Sequence, residues 1–294
     1  MLKQLVSKMY KRLPVLRELC QIRDAIYQLK ELQEDLRANQ EIHLFDFEFD
    51  RHPRYRDPMR LPRYQGQVNS QNGEDGILQE VFRRVGTTNR VFAEVGVGDG
   101  CENNTAFLLS LGWDGFWLDV SGRFLGALEK GKNMDENCLK ALVAIITREN
   151  IEGCFEKLGV PKEFDLLSLD IDQNTYYAWE GLRSFRPRVV VIEYNGSVPA
   201  DTDWKVVYDP DRQWDGSKNF GASLKALENL GRQLGYCLVG CEFCGVNAFF
   251  VREDLVKDRF AAPFTSENHF EPKRHFVSFR RGHPSAVLDR NIPG

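Results

Sequence analysis

Residues 90–119, RVFAEVGVGDGCENNTAFLLSLGWDGFWLD, decide how the chain is read. An apolar run at 91–95 ends in a glycine-studded turn, a helical stretch follows, and a second apolar run ends in Asp119. Strand, loop, helix and strand make the repeating unit of a parallel sheet. Gly96, Gly98 and Gly100 allow a sharp turn and let the backbone come close to a ligand. Their spacing departs from the G-x-G-x-x-G of dinucleotide sites, and Glu94 stands two residues ahead of the first glycine. A carboxylate suits a cationic amine better than a pyrophosphate, so the loop points to S-adenosylmethionine. Asp119, closing the second strand, is placed to accept hydrogen bonds from ribose hydroxyls. The plainer reading makes both acids ordinary solvated strand ends.

The alternation continues outward. Upstream, SQNGEDGILQEVFRRVG (70–86) spaces Ile77, Leu78, Val81, Phe82 and Val85 as on a helix ended by Gly86. Downstream, GRFLGALEKGKNM (122–134) reads as a helix, LKALVAIIT (139–147) as a strand and NIEGCFEKLG (150–159) as a helix. Then FDLLSLDID (164–172) is a strand, YYAWEGLRSF (176–185) a helix and PRVVVIEYN (187–195) a strand. The strands are nearly continuous apolar runs, as expected where helices cover both faces of a sheet. A polar and aromatic loop (196–219), a helix (221–235) and a hairpin, YCLVGCEFCGVNAFFV (236–251), complete the pattern. The expected fold is a Rossmann-like α/β sheet of the class I methyltransferase kind, mainly parallel with a terminal antiparallel hairpin.

The flanks differ. VLRELCQIRDAIYQLKELQEDLRANQ (15–40) carries Ile22, Leu29 and Leu36, with Ile26 and Leu32 between, a heptad-like seam. Residues 1–45 therefore read as a helical, coiled-coil extension that makes a dimer, in preference to a basic peripheral membrane contact through residues 1–12. DFEFDRHPRYRDPMRLPRYQG (46–66) lacks periodicity, and 46–67 is expected to be a linker. The catalytic domain is expected at 68–254, with a basic, loop-like tail at 255–294.

A hydrophobic content of 42% takes the chain out of the disordered class, and a net charge of −4 gives it no nucleic-acid footprint. It has no apolar run of membrane-spanning length, and no signal peptide is expected. Seven cysteines at irregular spacing suggest a reduced, cytoplasmic protein. Cys237, Cys241 and Cys244 have the C-x3-C-x2-C spacing of a four-iron cluster, but lie in a strand–turn–strand context late in the chain. They read instead as small buried residues.

Taken together, SQNGEDGIL, FAEVGVGDGCENNTAFLLSLGWDGFWLDVS, FDLLSLDIDQNTYYAWEGL, RPRVVVIEYN and NFGASLKALENLGRQLGYCLVGCEFCGVNAFFVRED resemble the FkbM-type family of S-adenosylmethionine-dependent O-methyltransferases. The resemblance spans roughly residues 68–254. It implies methyl transfer to a hydroxyl, often on sugars or on polyketide and polysaccharide products. By similarity, Glu94, Gly96, Asn104, Thr105 and Asp119 surround the cofactor, with Gly98 in the same loop, and Thr147 borders the adenine.

Methyl transfer is an in-line displacement, so the enzyme aligns two reactants and deprotonates or polarises the acceptor oxygen. Asp170 and Asp172 end the fourth strand; Glu193 and Asn195 end the fifth. Oxygen ligands at adjacent strand ends converge above an open α/β sheet and suit Mg²⁺ or Mn²⁺. The alternative gives Asp170 to the cofactor's amine, with Asp172 or a tail histidine (His269, His275, His283) as base, His275 being the candidate retained. In the 196–219 loop, Trp204, Tyr208, Trp214 and Asp215 pair aromatic faces with acids, a way to hold a carbohydrate or glycosylated acceptor. Two rivals stand beside this reading, an NAD-dependent sugar oxidoreductase and a non-catalytic scaffold with a retained cofactor fold.

Overall fold

The computed structural model describes residues 14–126, 138–212 and 214–274. Residues 1–12, His275, His283 and most of the helix expected at 122–134 lie outside them.

Helix α1 (Pro14–Arg51) and a short α2 (Pro53–Arg56) precede the domain. Then follow α3 (Glu74–Val85), β1 (Val91–Val95), α4 (Ala106–Ser110), β2 (Asp114–Asp119), β3 (Leu139–Val143) and α5 (Ile151–Leu158). β4 (Glu163–Leu169), α6 (Thr175–Gly181), β5 (Arg186–Glu193), α7 (Leu224–Leu234), β6 (Tyr236–Cys241) and β7 (Asn247–Arg252) complete the core. α8 (Glu253–Val256) and α9 (Ser266–His269) lie in the C-terminal segment. The seven strands form one sheet in the order β3-β2-β1-β4-β5-β7-β6. β1 to β5 pair in parallel, and β7 is antiparallel to both β5 and β6. This is the Rossmann-like sheet of class I methyltransferases.

Apart from the edge strand β3, the apolar strands are buried on both faces. Leu167, Leu169, Val190 and Ile192 pack under α5, α6 and α7, while Leu166, Val189 and Val191 pack under α3 with Trp117 and Phe249. Neighbours in sequence point to opposite faces, so an uninterrupted apolar run is what two covered faces demand. Local signals set the helix ends. Ser223 Oγ accepts from Ala226 N at 3.1 Å to start α7, and Gly235, in the left-handed region at φ +85°, stops it.

The flanks depart from the sequence expectation. α1 runs 38 residues, about 57 Å at 1.5 Å per residue, and so extends six residues into the expected linker. Its seam residues Ile22, Ile26, Leu29, Leu32 and Leu36 are 49–65% exposed. Beyond it the chain packs on the domain. Tyr55 Oη donates to Glu271 Oε2 at 2.7 Å, Arg54 Nε donates to Glu271 Oε1 at 3.2 Å, and Leu61 is fully buried. Arg274 Nη1 donates to the same Glu271 carboxylate at 2.9 Å, and Tyr194 Oη donates to the Glu271 carbonyl at 2.5 Å. The tail closes further by Lys273 N to Gly196 O at 3.1 Å and Arg274 N to Cys244 O at 2.8 Å. Gly245 makes this approach possible, since a Cβ there would lie 2.5 Å from Pro272 backbone. The expected hairpin is present, with Cys237 and Cys241 on β6 and Cys244 in the turn, none of the three in a disulfide. Among the described residues no helix is long and apolar enough to cross a membrane.

Candidate functional site

A cleft of about 810 Å³ opens at the carboxyl ends of β1, β2, β4 and β5. This is where loops diverge from an open α/β sheet. Its lining includes the glycine turn, Asp119, Ser121, Ile145 and Ile146, together with Asp170, Asp172, Glu193 and Lys273.

The glycine turn is built by close approach. Gly96 has φ +89°, donates its N–H to Leu118 O at 2.9 Å, and a Cβ there would fall 1.6 Å from Asp170 O. Only glycine lets the β1 and β4 ends touch at this point. Nothing lies within 4 Å of where a Cβ on Gly98 would sit, so the cleft is open above it. Gly98 N donates to Asp119 Oδ2 at 2.9 Å, and Asp119 Oδ1 accepts from both Ser121 N and Ser121 Oγ at 2.6 Å. A carboxylate offers about four acceptor sites. One therefore remains on Asp119 for a ligand hydroxyl.

Glu94 lines the cleft, with its carboxylate engaged by protein donors. It is 2% exposed, and its carboxylate accepts from four donors. Oε1 takes Asn104 N and Ser168 Oγ, each at 3.0 Å; Oε2 takes Asn103 Nδ2 and Thr105 Oγ1, each at 2.5 Å. All its acceptor sites are filled, so Glu94 braces the 103–105 turn and has none left for a cofactor amine. Burial pushes its carboxyl pKa up, and the four hydrogen bonds pull it back. Asn104 lines the cleft with its Nδ2 donating to Ser168 Oγ at 3.1 Å. Thr105 does not line it. Its hydroxyl is buried between Glu94 and Trp117 Nε1, which donates to it at 2.8 Å. Thr147 is likewise spent on the start of α5, its N–H donating to Asn150 Oδ1 at 2.8 Å. Ile145 and Ile146 form the apolar wall in its place.

One ligand oxygen each from Asp170, Asp172 and Glu193 lie within 4.8 Å of one another. Asp172 sits in the left-handed region at φ +55°, unusual for a residue with a side chain. Burial first, then the charge of Asp172, raises the Asp170 carboxyl pKa. Burial, then Asp170 and Asp172, raises Glu193 well above the usual range. Asp172 is raised by burial and lowered by Lys273. Among the described residues no donor reaches Glu193 Oε2.

The fourth expected ligand, Asn195, is not brought to this cluster. Its Nδ2 donates to Lys218 O at 2.8 Å and Phe220 O at 3.0 Å, and its Oδ1 accepts from Ser197 N at 3.1 Å. It ties down the following loop, because residues two apart on a strand share a face only while the strand continues, and β5 ends at Glu193.

Of the aromatic loop, Trp214 borders the cleft, half-exposed, with its ring 5.9 Å from Phe220. Trp204 packs against the core. Tyr208 stacks under Arg148 at 4.4 Å and donates to Glu149, away from the cleft. Asp215 accepts from Ser217 N at 2.9 Å as a turn residue, and Asp211 and Arg212 line the cleft instead. His269 is buried and outside the cleft lining, and burial, then the nearby Arg60 and Arg54, lowers its pKa to about 3.

Sequence reasoning missed Lys273, Asn174 and Asn247, all cleft residues. Lys273 arrives only through the tail's packing on Gly196 and Gly245, which no local pattern announces. Asn247 could have been found from the antiparallel pairing that sets it opposite Glu193.

No family model matches the chain, and no curated protein matches it. Several solved structures overlap it loosely. A S-adenosylmethionine-dependent methyltransferase from Clostridium acetobutylicum is 13% identical and covers 72% of this chain and 98% of its own, at a TM-score of 0.37. The CcbJ methyltransferase from Streptomyces caelestis is 15% identical, covers 61% and 95%, and scores 0.36. A 1,6-didemethyltoxoflavin-N1-methyltransferase from Burkholderia thailandensis is 9% identical, covers 74% and 87%, and scores 0.36. The fold stated above rests on strand order and register, not on these overlaps.

Proposed function

We propose that this chain is a S-adenosylmethionine-dependent O-methyltransferase acting on a hydroxyl of a saccharide or glycosylated product. The supporting observation is one cleft lined both by the open glycine turn at Gly98 with Asp119 and by three convergent carboxylates. Bound there, S-adenosylmethionine would supply a methyl group on a sulfonium. The residues fit such a ligand. The space above Gly98 is open, Asp119 keeps one acceptor site for a ribose hydroxyl, and Ile145 and Ile146 offer an apolar wall to a base. The volume, about 810 Å³, is within the range of small-molecule sites.

The carboxylates favour oxygen over nitrogen as the acceptor. A neutral amine attacks with its own lone pair, whereas a sugar hydroxyl is a weak acid whose proton must be taken or whose oxygen must be polarised. Asp170, Asp172 and Glu193 would do this, directly or through Mg²⁺ or Mn²⁺, and Trp214 would stack on the sugar ring. The test is incubation with S-adenosylmethionine and a panel of sugars, nucleotide sugars and amines, read by mass spectrometry. Methyl gain on a hydroxyl is expected. Gain on amines alone would overturn the O-methyl assignment, and uptake of NAD without S-adenosylmethionine would overturn the class.

A further inference from the structure

We propose that Asp170, Asp172 and Glu193 hold a divalent cation, with the carboxamide oxygens of Asn174 and Asn247 completing its surroundings. The three carboxylate ligand atoms lie within 4.8 Å of one another, a spread one ion can span. Acids alone can cluster without a metal, and the two asparagines supply the second observation. Asn247 is 4% exposed, sits directly opposite Glu193 on the neighbouring strand, and donates its Nδ2 to Glu74 Oε1 at 2.8 Å. Asn174 is 5% exposed and donates its Nδ2 to Asp209 O at 2.9 Å. In both, the amide nitrogen fixes the side chain while the Oδ1 has no donor among the described residues. Both border the same cleft as the acids. Buried oxygens without donors are costly, and a cation satisfies acceptors that no described N–H reaches.

The local charge favours a divalent ion. Asp170, Asp172 and Glu193 together carry three negative charges when ionised. Lys273, whose ammonium lies 4.9 Å over the Phe220 ring, is the cation that bears on Asp172 and Glu193. Glu94 and Glu74 add further negative charge at Asp170, so an excess remains that a divalent ion would offset. An all-oxygen donor set selects Mg²⁺ or Mn²⁺ over thiolate-seeking metals. Asn195 takes no part, being committed to Lys218 and Phe220. What the ion would do for an acceptor hydroxyl rests on the methyl-transfer reading; that it binds does not.

The probe is Mn²⁺, titrated into the chelator-treated full chain and followed by the electron paramagnetic resonance of the free ion. One equivalent should bind. Asp172→Asn and Glu193→Gln should each weaken binding roughly tenfold or more, while Asn195→Ala keeps the wild-type affinity. Circular dichroism of each sample confirms that it is folded. No Mn²⁺ bound by folded wild-type protein at millimolar metal, or unchanged affinity in both acid variants, overturns the site. S-adenosylhomocysteine titrated into the same metal-free samples separates the two readings. Cofactor binding without Mn²⁺ binding sinks the cation alone, and Mn²⁺ binding without cofactor binding sinks the methyltransferase alone.

Discussion

Replacing Glu94 by glutamine separates a brace from a cofactor ligand. Each carboxylate oxygen faces one obligatory N–H donor, Asn104 N on Oε1 and Asn103 Nδ2 on Oε2. The glutamine amide must therefore turn its own NH₂ toward one of them, whichever way it flips. One hydrogen bond to an ionised acceptor is lost, about 1.5–3 kcal/mol, and a buried donor is left unmet, about 1–3 kcal/mol. A total near 3 kcal/mol, with an m value of about 3 kcal/mol/M, lowers the urea midpoint by about 1 M. The assay is equilibrium urea unfolding of ligand-free protein by far-UV circular dichroism and tryptophan fluorescence, Trp117 being hydrogen-bonded to Thr105 beside Glu94. An unchanged midpoint, with cofactor affinity reduced tenfold or more, would refute the reasoning and return Glu94 to the ligand's amine.

Three further outcomes are expected. Gly96→Ala should cost more than about 3 kcal/mol and abolish cofactor binding in any protein that folds, since its methyl would overlap Asp170 O and φ is +89°; soluble protein with wild-type melting would contradict this. Asn195→Ala should lower stability by about 2 kcal/mol through loss of two carbonyl partners, read as a lower Tm. Trp214→Ala, at a half-exposed ring, should change stability by less than about 0.5 kcal/mol and raise KM for a saccharide acceptor, with S-adenosylhomocysteine affinity unchanged.

The sheet was legible because its signals are local. Apolar runs with glycines or acids at their carboxyl ends mark five parallel strands, and Gly86 and Gly235 mark helix ends. The hairpin was legible from two apolar runs around EFCG. The site was legible as a list of strand-end acids but not as directions. Glu94 and Thr105 turn inward because donors from 103–105 and Ser168 surround them, and Asn195 turns to the loop because its strand has already ended. Those outcomes depend on partners far along the chain. Lys273 was the least legible of all, placed by the Glu271 network that joins Arg54, Tyr55 and Arg274 across more than 200 residues.

The most direct test of the account is calorimetric titration of the full chain with S-adenosylhomocysteine. The account predicts saturable binding at one site per chain, weakened when Asp119→Ala removes the acceptor left for a ribose hydroxyl. Absence of heat at millimolar ligand, with NAD binding in its place, would contradict it.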